Sequence, residues 1–125
     1  IFIMKVLVTD DSKMARKMVV RSLEESTIKN LEIFEAQNGQ EAIDLYKEIS
    51  PKIVFLDLTM PIMDGFEALK RIKEIDENAK VVIISADIQK LSMDRVRELG
   101  AFNFIKKPID ALKMQQILEK IDEVI

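Results

Sequence analysis

Five short runs rich in β-branched residues alternate along this chain with longer segments of helical periodicity, and this alternation is the strongest constraint on its fold. The runs cover residues 5–9, 31–36, 52–57, 80–85 and 103–107. Strands that alternate with helices are typical of βαβ units, whose strands lie parallel in one sheet. The sequence therefore predicts an α/β fold in the order βαβαβαβαβα.

Between these runs, apolar residues recur three and four positions apart, as on one face of an amphipathic helix. The residues that mark these faces are Ala15, Met18, Val19, Ser22 and Leu23; Ala42, Leu45, Tyr46 and Ile49; Leu69, Ile72 and Ile75; Ile88, Leu91, Val96 and Leu99; and Met114, Ile117, Leu118, Ile121 and Ile125. No linker, repeat or charge block interrupts the pattern, so we expect one domain over residues 1–125.

The composition of the runs predicts their places in the sheet. Residues 6–8, 53–56 and 81–84 are apolar without alternation, as in central parallel strands that are covered on both faces. Glu32 and Glu35 interrupt the run at 31–36, which suits an edge strand. Right-handed crossovers place helices on both faces, and such open sheets bind ligands outside the carboxyl ends of their strands.

Charge and composition exclude several classes of function. Lys plus Arg is 19 and Asp plus Glu is 22, so the net charge of −3 argues against direct binding of nucleic acid or an anionic membrane. The chain has no histidine and no cysteine, which removes the usual zinc ligands and thiol chemistry. No apolar stretch is long enough to span a bilayer, and we expect a cytoplasmic protein.

Polar residues stand at the carboxyl ends of four predicted strands. They are Asp10 and Asp11, Asp57, Ser85, and Lys106 and Lys107 before Pro108. Each has a plain structural explanation, as a helix cap, a turn residue or a charged edge. Those explanations do not account for three acids, a hydroxyl and an ammonium group at one rim of a sheet.

Clustered carboxylates raise each other's pKa unless a cation compensates them. Without His or Cys, an oxygen-ligated ion such as Mg²⁺ is the natural cation, and a carboxylate beside it can attack phosphorus. The residues therefore predict that Asp10 and Asp11 hold the metal and that Asp57 is the nucleophile. Ser85 and Lys107 would bind the phosphoryl oxygens.

The motifs VTDDS, FLDLTMPIMDG, IISA and FIKKP, in this order, resemble those of response-regulator receiver domains of the CheY-like superfamily. The resemblance extends over essentially the whole chain. It implies a flavodoxin-like three-layer sandwich with strand order 2-1-3-4-5. It also implies that Asp57 accepts phosphate from a sensor histidine kinase or a histidine phosphotransfer protein. Asp10, Asp11, Asp57 and the backbone carbonyl of Thr59 would then form the Mg²⁺ site.

The same resemblance assigns the switch. Ser85 matches the switch hydroxyl, Phe104 the switch aromatic, and Lys107, directly before Pro108, the family lysine. Thr59 and Asp87 stand where members of the family tune the lifetime of the phosphoryl group. The sequence alone barely separates Lys107 from its neighbour Lys106.

Output is expected through a downstream target protein that binds the face of the fourth helix, fifth strand and fifth helix. The basic residues expected on this face are Lys90, Arg95, Lys106 and Lys113. Phe104 would turn inward from a more exposed rotamer after phosphorylation. We expect a stand-alone monomer that functions in chemotaxis, with a sporulation-type relay as another pathway of the family.

Two other functions remain open. A phosphatase of the haloacid-dehalogenase type also uses an aspartate nucleophile and Mg²⁺, but it requires a second Asp two residues later, where this chain has Thr59. A receiver-like scaffold that is never phosphorylated is the other alternative. Such proteins usually lack part of the set of acids and lysine, which is complete here.

Overall fold

The computed structural model describes residues 3–86 and 89–123, in which five strands and five helices alternate strictly. The strands are β1 (Met4–Thr9), β2 (Leu31–Ala36), β3 (Ile53–Leu56), β4 (Val81–Ser85) and β5 (Asn103–Lys106). The helices are α1 (Lys13–Glu24), α2 (Gly39–Ile49), α3 (Gly65–Ile75), α4 (Lys90–Glu98) and α5 (Ala111–Glu123). The predicted element order is confirmed.

The strands form one sheet in the order β2-β1-β3-β4-β5, and all four pairings are parallel. The flavodoxin-like order is therefore confirmed, and β2 is an edge strand as its glutamates predicted. Every residue of β3 and β4 is buried, as expected for strands that are covered on both faces. The order reverses between β1 and β3, which is where open α/β sheets form binding sites.

Two apolar clusters cover the two faces of the sheet. Because side chains alternate along a strand, Leu7 of β1 belongs to a cluster with residues of α2, α3 and α4. Val6 and Val8 belong to a second cluster with residues of α1 and α5. The larger buried side chains include Leu69 and Phe55, one in each cluster. The sheet is thus the middle of three layers, and its strand ends are held rigidly from both sides.

The predicted helix faces are largely buried, but α4 differs from its prediction. Leu91 is 83% exposed, and the buried residues of α4 are Met93 and Val96. Because Leu91 lies two positions before Met93, it points to nearly the opposite side of the helix. Met18 and Ile75 are also partly exposed, each at 43%. Ile88, Ile125 and Asp87, which carried predictions, lie outside the described residues.

Polar side chains fix the starts of the helices next to the sheet. The hydroxyl of Ser12 caps α1 by accepting from the backbone N–H of Ala15 at 3.2 Å. Asp64 caps α3 in the same way, accepting from the N–H of Glu67 at 2.9 Å. Ser12, directly after the two acids, is therefore the residue that caps α1. Within the part of the chain that the structure describes, no helix is both long and apolar enough to cross a bilayer.

Candidate functional site

The ends of β1 and β3 bring two carboxylates together. The strands pair in register with Thr9 opposite Leu56, and the N–H of Asp57 donates to the carbonyl of Thr9 at 3.0 Å. Asp10 and Asp57 each follow their strand by one residue, so they lie side by side at the point where strand order reverses. The sheet thus brings the carboxyl ends of β1 and β3 together, as predicted.

One carboxylate oxygen from each of Asp10, Asp11 and Asp57 lies within 4.8 Å of the other two. Asp10 and Asp57 are 4% and 6% exposed, whereas Asp11 is exposed. The ammonium group of Lys107 is 2.8 Å from Oδ2 of Asp10 and 3.6 Å from Oδ1 of Asp57. The structure thus brings together the three acids and the lysine that the sequence singled out.

The local backbone separates the two adjacent lysines. The N–H of Lys107 donates to the carbonyl of Ser85 at 2.9 Å, which ties the residue after β5 to the end of β4. Its side chain contacts the acids and is 29% exposed, while Lys106 is exposed at the end of β5. Lys107 is therefore the lysine of the site, and its ammonium group is already paired with Asp10.

Three more of the predicted residues lie on or just beyond β3, β4 and β5. Ser85 is buried at the end of β4, and Thr59 is exposed two residues beyond Asp57. Phe104 pairs in register with Ile83, two residues before Ser85, so Phe104 and Ser85 lie on the same face of the sheet. Phe104 is half-buried against the core, and the guanidinium of Arg97 lies 5.3 Å from the centre of its ring.

Two residues next to the acids were not predicted. Gly65 packs so closely that a Cβ there would lie 2.0 Å from the carbonyl oxygen of Asp57. Arg16 is buried and donates to the carbonyl of Asp10. From the sequence, Gly65 is only a turn residue. The one sequence signal for Arg16 is that a cationic residue stands between Ala15 and Val19, which mark the inward side of α1.

Burial and the neighbouring charge of Asp10 raise the pKa of Asp57 from 3.8 to about 6, although Lys107 opposes the change. Burial also lowers the pKa of Lys107, but the hydrogen bond to Asp10 and the charges of Asp57 and Asp10 outweigh this, so that pKa lies above its ordinary value. The site therefore holds more negative charge than one lysine compensates.

This arrangement predicts a stability that depends on pH in a specific direction. The pKa of Asp57 is higher in the folded chain than in the unfolded chain, so ionisation of this carboxyl destabilises the fold. The stability that the protonated carboxyl preserves at low pH is therefore lost as pH rises through about 6. In the presence of a chelator, Asp57→Asn is expected to raise the free energy of unfolding at pH 8 by on the order of 1–2 kcal/mol, after allowance for solvent screening. At pH 4 the same substitution should change it by almost nothing.

Urea unfolding at the two pH values measures this difference. Glu74→Gln, at an exposed position of α3, is the control and should change stability equally at both. An equal effect of Asp57→Asn at pH 4 and pH 8 would contradict the charge balance described above.

Comparison with known proteins gives a consistent result. The response regulator receiver domain model matches residues 6–119. The chain is 38% identical over 120 residues to the chemotaxis protein CheY of Thermotoga maritima, covering 95% of this chain and 98% of that protein. It is 34% identical over 116 residues to sporulation initiation phosphotransferase F of Bacillus subtilis, covering 93% of this chain and 91% of that protein.

Solved structures agree with the fold. One chain of the CheX-CheY-BeF3-Mg complex from Borrelia burgdorferi superposes with a TM-score of 0.87 and 34% identity, over 95% of this chain and 89% of that one. Chemotaxis protein CheY4 of Vibrio cholerae gives 0.86 at 23% identity, over 96% of this chain and 99% of that one, and supports the fold alone. These findings do not favour a haloacid-dehalogenase-type phosphatase.

Receiver domains are signalling proteins without a separate substrate that they turn over. The family model spans most of the chain, and relatives above 30% identity span nearly all of it. Five parallel strands in the order 2-1-3-4-5 and an acidic cluster at the switch point agree with that assignment. The chain belongs to the response-regulator receiver domains of two-component signal transduction.

Proposed function

We propose that Asp57 is the phosphoacceptor of this receiver domain. Its carboxylate oxygen attacks the phosphorus of a phosphohistidine on a sensor histidine kinase or histidine phosphotransfer protein. The bond from phosphorus to the partner's imidazole nitrogen breaks as the new bond to oxygen forms. The observation that carries the proposal is one buried carboxylate at a strand end with two more acids and an ammonium group around it.

The donor set fits Mg²⁺. Three carboxylate oxygens within 4.8 Å of one another offer hard ligands, and Asp11 is exposed enough to leave water on the remaining positions. Asp10, Asp11 and Asp57 would hold the ion, with the backbone carbonyl of Thr59 as the further ligand that the family resemblance implies. Bound there, Mg²⁺ would supply positive charge against the phosphoryl oxygens.

Two side chains are proposed to bind the transferred group. Lys107 is close enough to Asp57 for its ammonium to exchange the carboxylate of Asp10 for a phosphoryl oxygen. The hydroxyl of Ser85, at the end of the adjacent strand, would donate to a second oxygen. Charge-assisted hydrogen bonds of this kind contribute roughly 1.5–3 kcal/mol each. Through these contacts the domain assists its own phosphorylation and dephosphorylation.

Acetyl phosphate, a small phosphodonor, tests the phosphoacceptor without any partner. We expect intact-mass spectrometry to show one added phosphoryl group when Mg²⁺ is present. A chelator should reduce labelling to background, because the acids then repel the donor's negative charge. Sodium chloride at matched ionic strength is the control. Equal labelling with and without Mg²⁺ would contradict the proposed role of the acids.

Phosphorylation is proposed to act on the surface through Ser85 and Phe104. Moving the hydroxyl of Ser85 toward the phosphoryl group vacates space on the face of the sheet that also carries Phe104. Phe104 is partly exposed, so turning inward would bury more of its ring, and Arg97 would lose its position over the ring. On this proposal, phosphorylation would break the contact between Arg97 and Phe104.

The output face is proposed to bind a target with an acidic amphipathic segment. Lys90, Lys106 and Lys113 are exposed on α4, β5 and α5. Arg95 differs from its expected place, because its guanidinium lies 4.1 Å from the ring centre of Phe66 on α3. Lys90 and Arg97 both pair with Asp94, at 3.2 and 3.3 Å, so the net positive charge of the face rests mainly on Lys106 and Lys113.

NMR with beryllofluoride, a mimic of the phosphoryl group, tests this route. With Mg²⁺ we expect amide shifts at Phe104 and along α4 and α5, because the aromatic ring moves. The Asp57→Asn variant under the same conditions is the control. Shifts confined to the neighbourhood of Asp57 would mean that output uses another face.

Chemotaxis is the proposed pathway, supported by the identity to CheY proteins. A phosphorelay is the second candidate, supported by the 34% identity to sporulation initiation phosphotransferase F. We assign the whole chain, residues 1–125, to one receiver domain that works as a cytoplasmic monomer. A pull-down with and without beryllofluoride separates the pathways: recovery of another chemotaxis protein supports the first, and recovery of a histidine phosphotransfer protein supports the second.

A further inference from the structure

Arg16 is a buried cation beside the acidic site. It lies in the first turns of α1, and its side chain is 11% exposed. A guanidinium group is costly to bury unless its donors are paired in good geometry. The hydrogen bonds of Arg16 are therefore expected to have a role beyond the packing of the amphipathic helix α1.

Two hydrogen bonds hold the guanidinium in place. Nη1 donates to the carbonyl oxygen of Asp10 at 2.8 Å, and Nε donates to Oε1 of Glu35 at 2.9 Å. These contacts join α1 to the residue that follows β1 and to β2. Because the guanidinium is a rigid planar fork, the contact with Glu35 fixes the direction in which Arg16 reaches Asp10.

The two adjacent acids are held very differently. The carboxylate of Asp10 accepts from the N–H of Ser12 at 2.9 Å and from Lys107 at 2.8 Å. Within residues 3–86 and 89–123, no hydrogen bond or ion pair holds the carboxylate of Asp11. Its backbone therefore sets the direction in which the Asp11 side chain leaves the chain.

Arg16 holds one of the two peptide units that flank Asp11, and the N–H of the other, that of Ser12, donates to the carboxylate of Asp10. The carbonyl that it binds belongs to the peptide unit between Asp10 and Asp11, which is planar. On the other side of Asp10, its N–H donates to the carbonyl of Ala36 at 3.1 Å. With both contacts in place, the peptide that leads to Asp11 has a fixed plane, and the Asp11 side chain starts from a fixed direction.

We infer that Arg16 is a positioning residue for the metal site: by anchoring the Asp10 carbonyl, it aims the Asp11 carboxylate at Asp10 and Asp57 before a cation binds. This inference rests on the proposed function. Residues that orient metal ligands typically change metal affinity by roughly 10–100-fold when they are replaced. A purely structural Arg16 would lower stability and leave the affinity of the folded protein unchanged.

Calorimetric titration with Mg²⁺, at a temperature where circular dichroism shows each variant folded, separates these roles. Arg16→Gln is expected to weaken Mg²⁺ binding by roughly 10-fold or more. Arg16→Lys keeps the charge but cannot make both contacts, so it should weaken binding as well. Arg21→Gln, on an exposed position of the same helix, is the matched control. Wild-type affinity in either Arg16 variant would overturn the inference.

A double-mutant cycle with Asp11→Asn tests whether Arg16 acts through Asp11. In that background the effect of Arg16→Gln on Mg²⁺ affinity should shrink to less than about 3-fold, because the positioned carboxylate is gone. An undiminished effect would overturn the inference. If Arg16→Gln does not fold, Glu35→Ala takes its place, because it removes the contact that orients the guanidinium at a half-exposed site.

The same titrations distinguish this inference from the proposed function. A wild-type protein that binds no Mg²⁺ at millimolar concentration would remove both. A wild-type protein that binds Mg²⁺ and is labelled by acetyl phosphate, together with Arg16 variants of equal affinity, would overturn the positioning role alone.

Discussion

Replacement of Asp57 by asparagine is expected to reduce labelling by acetyl phosphate more than about 100-fold. An amide oxygen is a far weaker nucleophile than a carboxylate, and no acyl phosphate can form on it. The substitution keeps the shape of the side chain and removes one of three crowded negative charges. The loss of labelling should therefore accompany an increase in the stability of the metal-free protein at pH 8.

That combination separates a chemical effect from unfolding. Most substitutions of buried polar residues lower activity and stability together. Here the variant should be at least as stable as the wild type and yet unlabelled. Glu74→Gln removes an exposed acid of α3 and should leave labelling unchanged. Labelling of Asp57→Asn at the wild-type rate would refute the assignment of the nucleophile.

Gly65→Ala is expected to destabilise the protein by about 3 kcal/mol or more. A Cβ at this position would lie 2.0 Å from the carbonyl oxygen of Asp57 and 2.7 Å from Cα of Leu58. Both are backbone atoms, so relief requires the end of β3 to move away from α3. The hydrogen bond from the N–H of Gly65 to the carbonyl of Leu58, at 2.9 Å, would be strained as well.

The same substitution should slow labelling of the protein that remains folded, because the displaced backbone carries the phosphoacceptor. Gly39→Ala is the matched comparison, since Gly39 is likewise the first residue of its helix. A Cβ there would meet the carbonyl oxygen of Met63 at 2.7 Å, so this variant should also lose stability, but without a contact to the backbone of Asp57. Urea unfolding and initial labelling rates measure the two effects. A folded Gly65→Ala variant that is labelled as fast as the wild type would show that this contact does not position Asp57.

The architecture could be predicted from the sequence because most of its local patterns fit only one kind of structural element. Unbroken apolar runs at β3 and β4 mark strands covered on both faces, and the glutamates of β2 mark an edge. The fourth helix was less predictable. Leucine is typically a core residue, but Leu91 is 83% exposed. The buried side of the short α4 carries Met93 and Val96 instead.

The acidic site could be predicted because parallel strands bring their carboxyl ends to one edge. Its finer contacts depend on three-dimensional geometry that the sequence does not encode locally. The pairing of Lys107 with Asp10 joins residues 97 positions apart. The hydrogen bond of Arg16 to a backbone carbonyl leaves no trace in side-chain patterns. Phe104 is half-buried. Composition alone would predict either a fully buried or a fully exposed aromatic side chain, so it does not indicate this intermediate state.

The most direct test of the central claim is to locate the phosphoryl group itself. After labelling with acetyl phosphate and Mg²⁺, reduction with borohydride converts an aspartyl phosphate into homoserine, which peptide mass spectrometry can assign to a position. We predict homoserine at position 57 and unmodified aspartate at positions 10 and 11. Homoserine at either of those two positions, or an acid-stable phosphate on Ser85 with Asp57 unmodified, would contradict the claim that Asp57 is the phosphoacceptor.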